Sequence, residues 1–236
     1  MTREKCKQHR LRGYLSIYFS SWRVYMIPFI IVSVLCMLDN DAYSVSLGIK
    51  AVSEGERIDF YAFGRWGAMM ALPIVLDGFY LDVLEKTSVF VRIRLAGSKE
   101  YRILQLFGCM MNSLLWGTIV ALVAQTVVSK ISFSALVAIL SNQLLLGCSY
   151  ACVNCTNRLS SELSGIAVIA GFSTLHFLNE YGVLPLYVSP GAWGMVYRST
   201  QFMVTGLPTQ YMILGNIIAS VLFFFIMITR PIDLEE

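Results

Sequence analysis

Hydrophobic positions in this chain come in long blocks rather than in strict alternation. Six apolar runs are separated by polar intervals: 24–38 (VYMIPFIIVSVLCML), about 60–81, 103–128, 131–153, 163–178 and 211–229. Blocks of this length predict membrane-spanning helices, since roughly 20 residues cross the hydrocarbon core. The second block contains Gly64, Arg65, Gly67, Pro73 and Asp77, so it is the least oily and is expected to be irregular. Gly108, Ser113, Gly117, Gly147 and Gly215 lie within the cleaner blocks, where small residues suit helices packing on helices. The first block is short, but Trp22 and Arg23 can anchor it. No small-x-small cleavage pattern follows it, so it reads as a retained helix rather than a signal peptide.

Composition strengthens the membrane reading. With 56% hydrophobic and 14% charged residues among 236, the chain is too apolar for one soluble domain. The expected fold is all-α: a polytopic integral membrane protein, one transmembrane domain over 1–236, with six transmembrane helices. Cation bias sets its orientation. The segments before the first run, between the second and third, between the fourth and fifth, and after the sixth hold thirteen Lys and Arg. The opposite loops hold four: Lys50, Arg57, Lys130 and Arg198. The positive-inside rule then places both termini in the cytoplasm; the expected location is the plasma membrane. The net charge of +3 is thereby a matter of topology and implies no nucleic-acid partner.

Two polar intervals carry further pattern. In 10–23, Leu11, Tyr14, Leu15, Tyr18, Phe19 and Trp22 recur at spacings of three and four, as in a helix lying in the membrane interface; a disordered basic tail is the plainer alternative. In 84–100, Leu84, Val89, Phe90, Val91, Ile93 and Leu95 make an apolar surface among basic residues, and Gly97 and Ser98 make a helix stop before Lys99. Five cations fall between Lys86 and Arg102. Here the plainer alternative is a solvated loop that only fixes topology.

The order Glu85, Thr87 or Ser88, Arg92, Arg94, Leu95, Gly97, Ser98, Lys99, Tyr101, Arg102 resembles the permease subunit of ABC-2 type exporters. In that family an acidic residue and a Thr or Ser precede an apolar-basic helix, a small-residue break and a basic start to the third span. The resemblance implies that 84–100 is a cytoplasmic coupling helix. Its Glu85, Thr87, Phe90, Arg92, Ile93 and Arg94 would contact a separate ABC ATPase subunit. It also implies a second permease subunit, identical or sister, and a re-entrant extracellular segment over 180–210, where SPGAW (189–193) is similar to the family's pattern. Half-size permeases of this kind serve Gram-positive peptide export and self-immunity, so an antimicrobial peptide is the first expected substrate and a lipid or drug the next.

The chain has no G-x-x-x-x-G-K-[ST], so ATP hydrolysis by the P-loop route falls to a partner and no enzyme activity is expected of this subunit. No catalytic residue, metal or cofactor is assigned. Cys148, Cys152 and Cys155 include a C-x-x-C but read as packing residues, and His176 near Ser173 lacks the acid a hydrolase needs. Arg65 either lines a translocation path or snorkels to the outer interface, with Asp59 and Glu180 as expected partners. The competing class is a non-transporting membrane sensor or assembly scaffold.

Overall fold

The computed structural model describes residue 48 and residues 60–94, 98–127, 131–157, 160–190 and 192–229. Within its helices, the side chains at 60–62, 65, 68–69, 85–100, 127 and 156–157 lie outside the described set. The expected interfacial helix (10–23) and first span (24–38) also lie outside it.

Five helices form the described molecule: α1 (Phe60–Arg94), α2 (Ser98–Val127), α3 (Phe133–Asn157), α4 (Ser161–Glu180) and α5 (Thr209–Thr229). Two 3-10 turns, Leu186–Val188 and Val196–Arg198, lie between α4 and α5. Four stretches are long and apolar enough to cross a membrane: Tyr101–Thr126, Phe133–Cys155, Ser161–Glu180 and Thr209–Thr229. They fall on the last four sequence blocks.

The second block departs from expectation. It is one uninterrupted helix running through Pro73 and on through Arg94. A proline's fixed φ suits a helix, and its missing N–H bond is tolerated where neighbouring helices pack around it. Trp66, Met70, Ile74, Asp77, Leu81 and Leu84 are buried at spacings of three and four, so a single stripe of α1 faces the bundle.

Helix α3 occupies the centre and touches each of the other four helices. Printed contacts fix the directions. Asn112 meets Asp77 and Tyr80 meets Leu104, so α1 and α2 are antiparallel. Ser113 lies against Gly147 and Gln105 meets Cys155, so α2 and α3 are antiparallel. Ile74 abuts Gly165 while Phe63 stacks near Phe177, so α1 and α4 are antiparallel too. Thr209 bonds Ser134 and Asn216 bonds Ser141, which makes α3 and α5 parallel. Segment 181–208 therefore caps the end of the bundle where α1, α3 and α5 begin. The α1–α2 elbow lies at the other end.

Helix α5 turns its polar residues inward, beside Met212 and Met227, and is apolar outside. It buries Thr209, Asn216 and Ser220 against α3 and exposes Leu214, Ile218, Val221, Leu222 and Phe225. In water this arrangement would cost apolar exposure along the whole helix. In hydrocarbon it removes the polar groups from lipid, as expected of a membrane bundle.

Candidate functional site

The expected partner-binding residues Glu85, Thr87, Phe90, Arg92, Ile93 and Arg94 all lie on the helical backbone at the end of α1, and their side chains fall outside the described residues. Arg65 likewise sits on α1 with its side chain outside that set, as does all of Asp59. The other expected partner of Arg65 is engaged elsewhere: Glu180 pairs with Arg198. Arg198, counted in sequence among the four cations of the opposite loops, is only 3% exposed.

Local structure explains how this pair forms. Helix α4 starts at an N-cap, Ser160, whose hydroxyl accepts from the Leu163 N–H. It ends in a Schellman turn, in which Val183 N–H bonds the Leu178 carbonyl at 2.9 Å and Gly182 N–H the Asn179 carbonyl at 3.0 Å. Gly182 holds φ at 71°, a left-handed value glycine adopts without strain. The chain thus folds back over the last turn of α4, where the Ser189 hydroxyl donates to the Leu175 carbonyl at 3.1 Å and the Asn179 amide donates to the Leu184 carbonyl at 2.8 Å.

The loop 199–207 then closes on itself. Thr200 N–H bonds the Leu207 carbonyl and Leu207 N–H the Arg198 carbonyl, each at 2.9 Å. Gly206 permits this closure, because a Cβ there would lie 2.5 Å from the Ser199 carbonyl. With its backbone so held, the Arg198 guanidinium donates to Asn179 Oδ1 at 2.9 Å and to Glu180 Oε1. Burial lowers the Arg198 guanidinium to about 10, so it is still charged at neutral pH and requires the carboxylate.

Beside this pair, His176 lies within 4.0 Å of Glu180 Oε1 and is ringed by Phe63, Trp66 and Phe177. Neither of its ring nitrogens has a hydrogen-bond partner, so no Ser173–His176 pair exists. The arrangement is a closed polar staple that fixes the connection onto α4, with His176 seating α4 against Phe63 and Trp66 of α1, and it offers no exposed nucleophile. Residue 48 reaches the same end of the bundle, with Gly48 packed on Met195.

A second buried polar group lies mid-bundle. Asp77, 0% exposed, accepts from the Asn112 amide at 3.0 Å through Oδ1 only. The free thiols Cys109, Cys148 and Cys152 are buried around the bundle core, and Cys155 donates to Gln105 at 3.2 Å. Among the described residues, no three His, Cys, Asp or Glu are grouped so as to hold a metal ion. Asp77 had a sequence signal that was passed over: it shares the stripe of Trp66, Met70, Ile74, Leu81 and Leu84, so helical spacing alone places it inward. Arg198 had a weaker one, a lone cation within the apolar run MVYRST. Set against known protein families, curated proteins and solved structures, the chain finds no match.

Proposed function

We propose that this chain is the membrane permease subunit of an ATP-driven exporter of the ABC-2 type. In this reading it has six spans, cytoplasmic termini and a place in the plasma membrane, works as a dimer with itself or a sister subunit, and is driven by separate ATPase subunits. Its substrate is amphipathic or hydrophobic, an antimicrobial peptide first and a lipid or drug next.

The observation that supports this reading best is the reach of α1. Its 35 residues extend about 52 Å at 1.5 Å per residue, against a hydrocarbon core of about 30 Å. Its helical backbone runs on to Arg94, and a new helix starts at Ser98. The last turns of α1 carry Phe90, Ile93, Arg92 and Arg94 into an elbow at one end of the bundle, suited to receive force from a subunit in the cytoplasm. The folded 181–208 cap at the other end suits the re-entrant segment of such a permease.

The test is capture of the partner in the cell that makes this chain, with a photo-crosslinking residue at Phe90 or Ile93. A P-loop ATPase should be trapped. It should be lost from Phe90→Asp and Ile93→Asp, which still insert, because a desolvated charge at an interface centre costs several kcal/mol against about 8 kcal/mol for a micromolar complex. Arg92→Glu and Arg94→Glu should weaken capture less and in a salt-dependent way. Capture of no P-loop protein, or full recovery with both Asp variants, overturns the reading.

A further inference from the structure

Six buried side-chain polar atoms among the described residues lack a hydrogen-bond partner, and the helix registers set four of them within about one turn along the bundle axis: Asp77 Oδ2, Ser113 Oγ, Trp116 Nε1 and Gln143 Oε1. Their placement follows from the helix registers. Asp77 on α1 meets Asn112 on α2, the residue beside Ser113. Ser113 lies against Gly147 of α3, and a turn further along Gln143 lies against Gly117 of α2. All four side chains are at least nine-tenths buried: Asp77 0%, Ser113 0%, Trp116 2%, Gln143 7%.

Buried polar atoms in folded proteins are almost always paired, so a concentration of orphans calls for a ligand or water. The charge balance narrows the choice. Asp77 has no cationic side chain paired with it among the described residues, and a bare carboxylate in a dry bundle is strongly disfavoured. A monovalent cation restores neutrality. The carboxylate, hydroxyl and amide oxygens are hard donors of the kind that hold such ions. Complete burial of Asp77 and Ser113 favours a small ion over an organic ammonium.

We propose that Asp77, with Ser113 and Gln143, forms a binding site for a small monovalent cation, a proton or sodium, between α1, α2 and α3. The site stands apart from the transport reading and from the Arg198 staple. Occupied, it neutralises the inward stripe of α1 and ties that helix to α2 and α3. The titratable groups facing Asp77 are Cys109 from α2 and Cys148 and Tyr150 from α3. Glu162 of α4 and Asp82 of α1 lie beyond them, around Tyr150.

The experiment is thermal unfolding of the purified full chain in detergent, in NaCl against choline chloride at matched ionic strength, at acid and at neutral pH. A ligand bound only by the folded state raises Tm in proportion to ln(1 + [L]/Kd). If sodium is the occupant, Tm rises with NaCl and not with choline, and Ser113→Ala or Gln143→Leu raises the half-saturating sodium concentration about tenfold, one ligand's worth. If the proton is the occupant, acid raises Tm without any sodium response. In either case Asp77→Asn, whose carbonyl still accepts from Asn112, loses the response. A wild-type chain insensitive to both ions, or an Asp77→Asn chain that keeps the wild-type response, overturns the proposal and leaves water as the partner of these atoms.

Discussion

Arg198 illustrates how little a residue's class says about its place. In sequence it counts as one of four cations on the sparsely charged side; in the fold it is buried and bonded to Glu180 and Asn179. The lone cation in MVYRST hints at burial, but nothing local names its partners, because the pairing depends on the left-handed turn at Gly182 and on the closure at Gly206. A buried pair has a specific energetic signature. Removing one partner strands the other charge and costs about 3–5 kcal/mol, whereas removing both together is often nearly neutral. Glu180→Leu and Arg198→Met should therefore each destabilise the purified chain by about that amount in detergent unfolding, and the double variant should be more stable than either single one. Additive losses in the double variant would show that the two charges do not depend on one another.

At the scale of helices, small residues were the most legible feature. Gly108 lies against the Tyr80 ring, Gly147 against Ser113, Gly117 against Leu140 and Gln143, and Gly215 against Trp193. The first three lie between two helices, as small residues do in membrane bundles, while Gly215 makes room for Trp193 of the α4–α5 connection. Glycine alone is not the signal, since Gly171 has nothing within 4 Å of where its Cβ would be. The contrast sets an experiment. Gly147→Ala pushes a methyl into Ser113 Oγ and to 2.9 Å from the Cys109 carbonyl, and should cost about 1–3 kcal/mol. Gly171→Ala meets only open space on α4 and should be neutral or stabilise by up to about 1 kcal/mol, because alanine is the better helix former. Equal effects of the two in a denaturant or thermal titration would mean that helix propensity, not interhelical packing, governs these positions. The continuity of α1 was not legible for a related reason: Gly64, Gly67 and Pro73 weaken a helix in isolation, and the tertiary packing that overrides them leaves no local mark.

For the whole molecule, the last four apolar blocks match helix bounds to within about five residues, as the pairs 163–178 against Ser161–Glu180 and 211–229 against Thr209–Thr229 show, whereas the second block stops well short of Arg94. Hydrocarbon thickness sets block length, so this layer of structure is written directly in composition. Helix neighbours and directions were not, because they rest on contacts such as Ser134–Thr209 and Ser113–Gly147 between distant parts of the chain. Those contacts make a strong statement about sidedness. Because α1 to α4 alternate in direction and α5 runs parallel to α3, the tip of the α4–α5 connection and the α1–α2 elbow must lie at opposite ends of the bundle. Val204, fully exposed at that tip, and Lys99, at the start of α2, are the reporters. With Cys6, Cys36 and the partly exposed Cys155 replaced by Ser, the buried thiols of Cys109, Cys148 and Cys152 leave a low background. A membrane-impermeant maleimide added to intact cells should then modify Val204→Cys, and should modify Lys99→Cys only after permeabilisation, since the cation-rich elbow is expected inside. The reverse pattern would refute the orientation while keeping the bundle. Modification of both positions from one side would refute the transmembrane bundle itself.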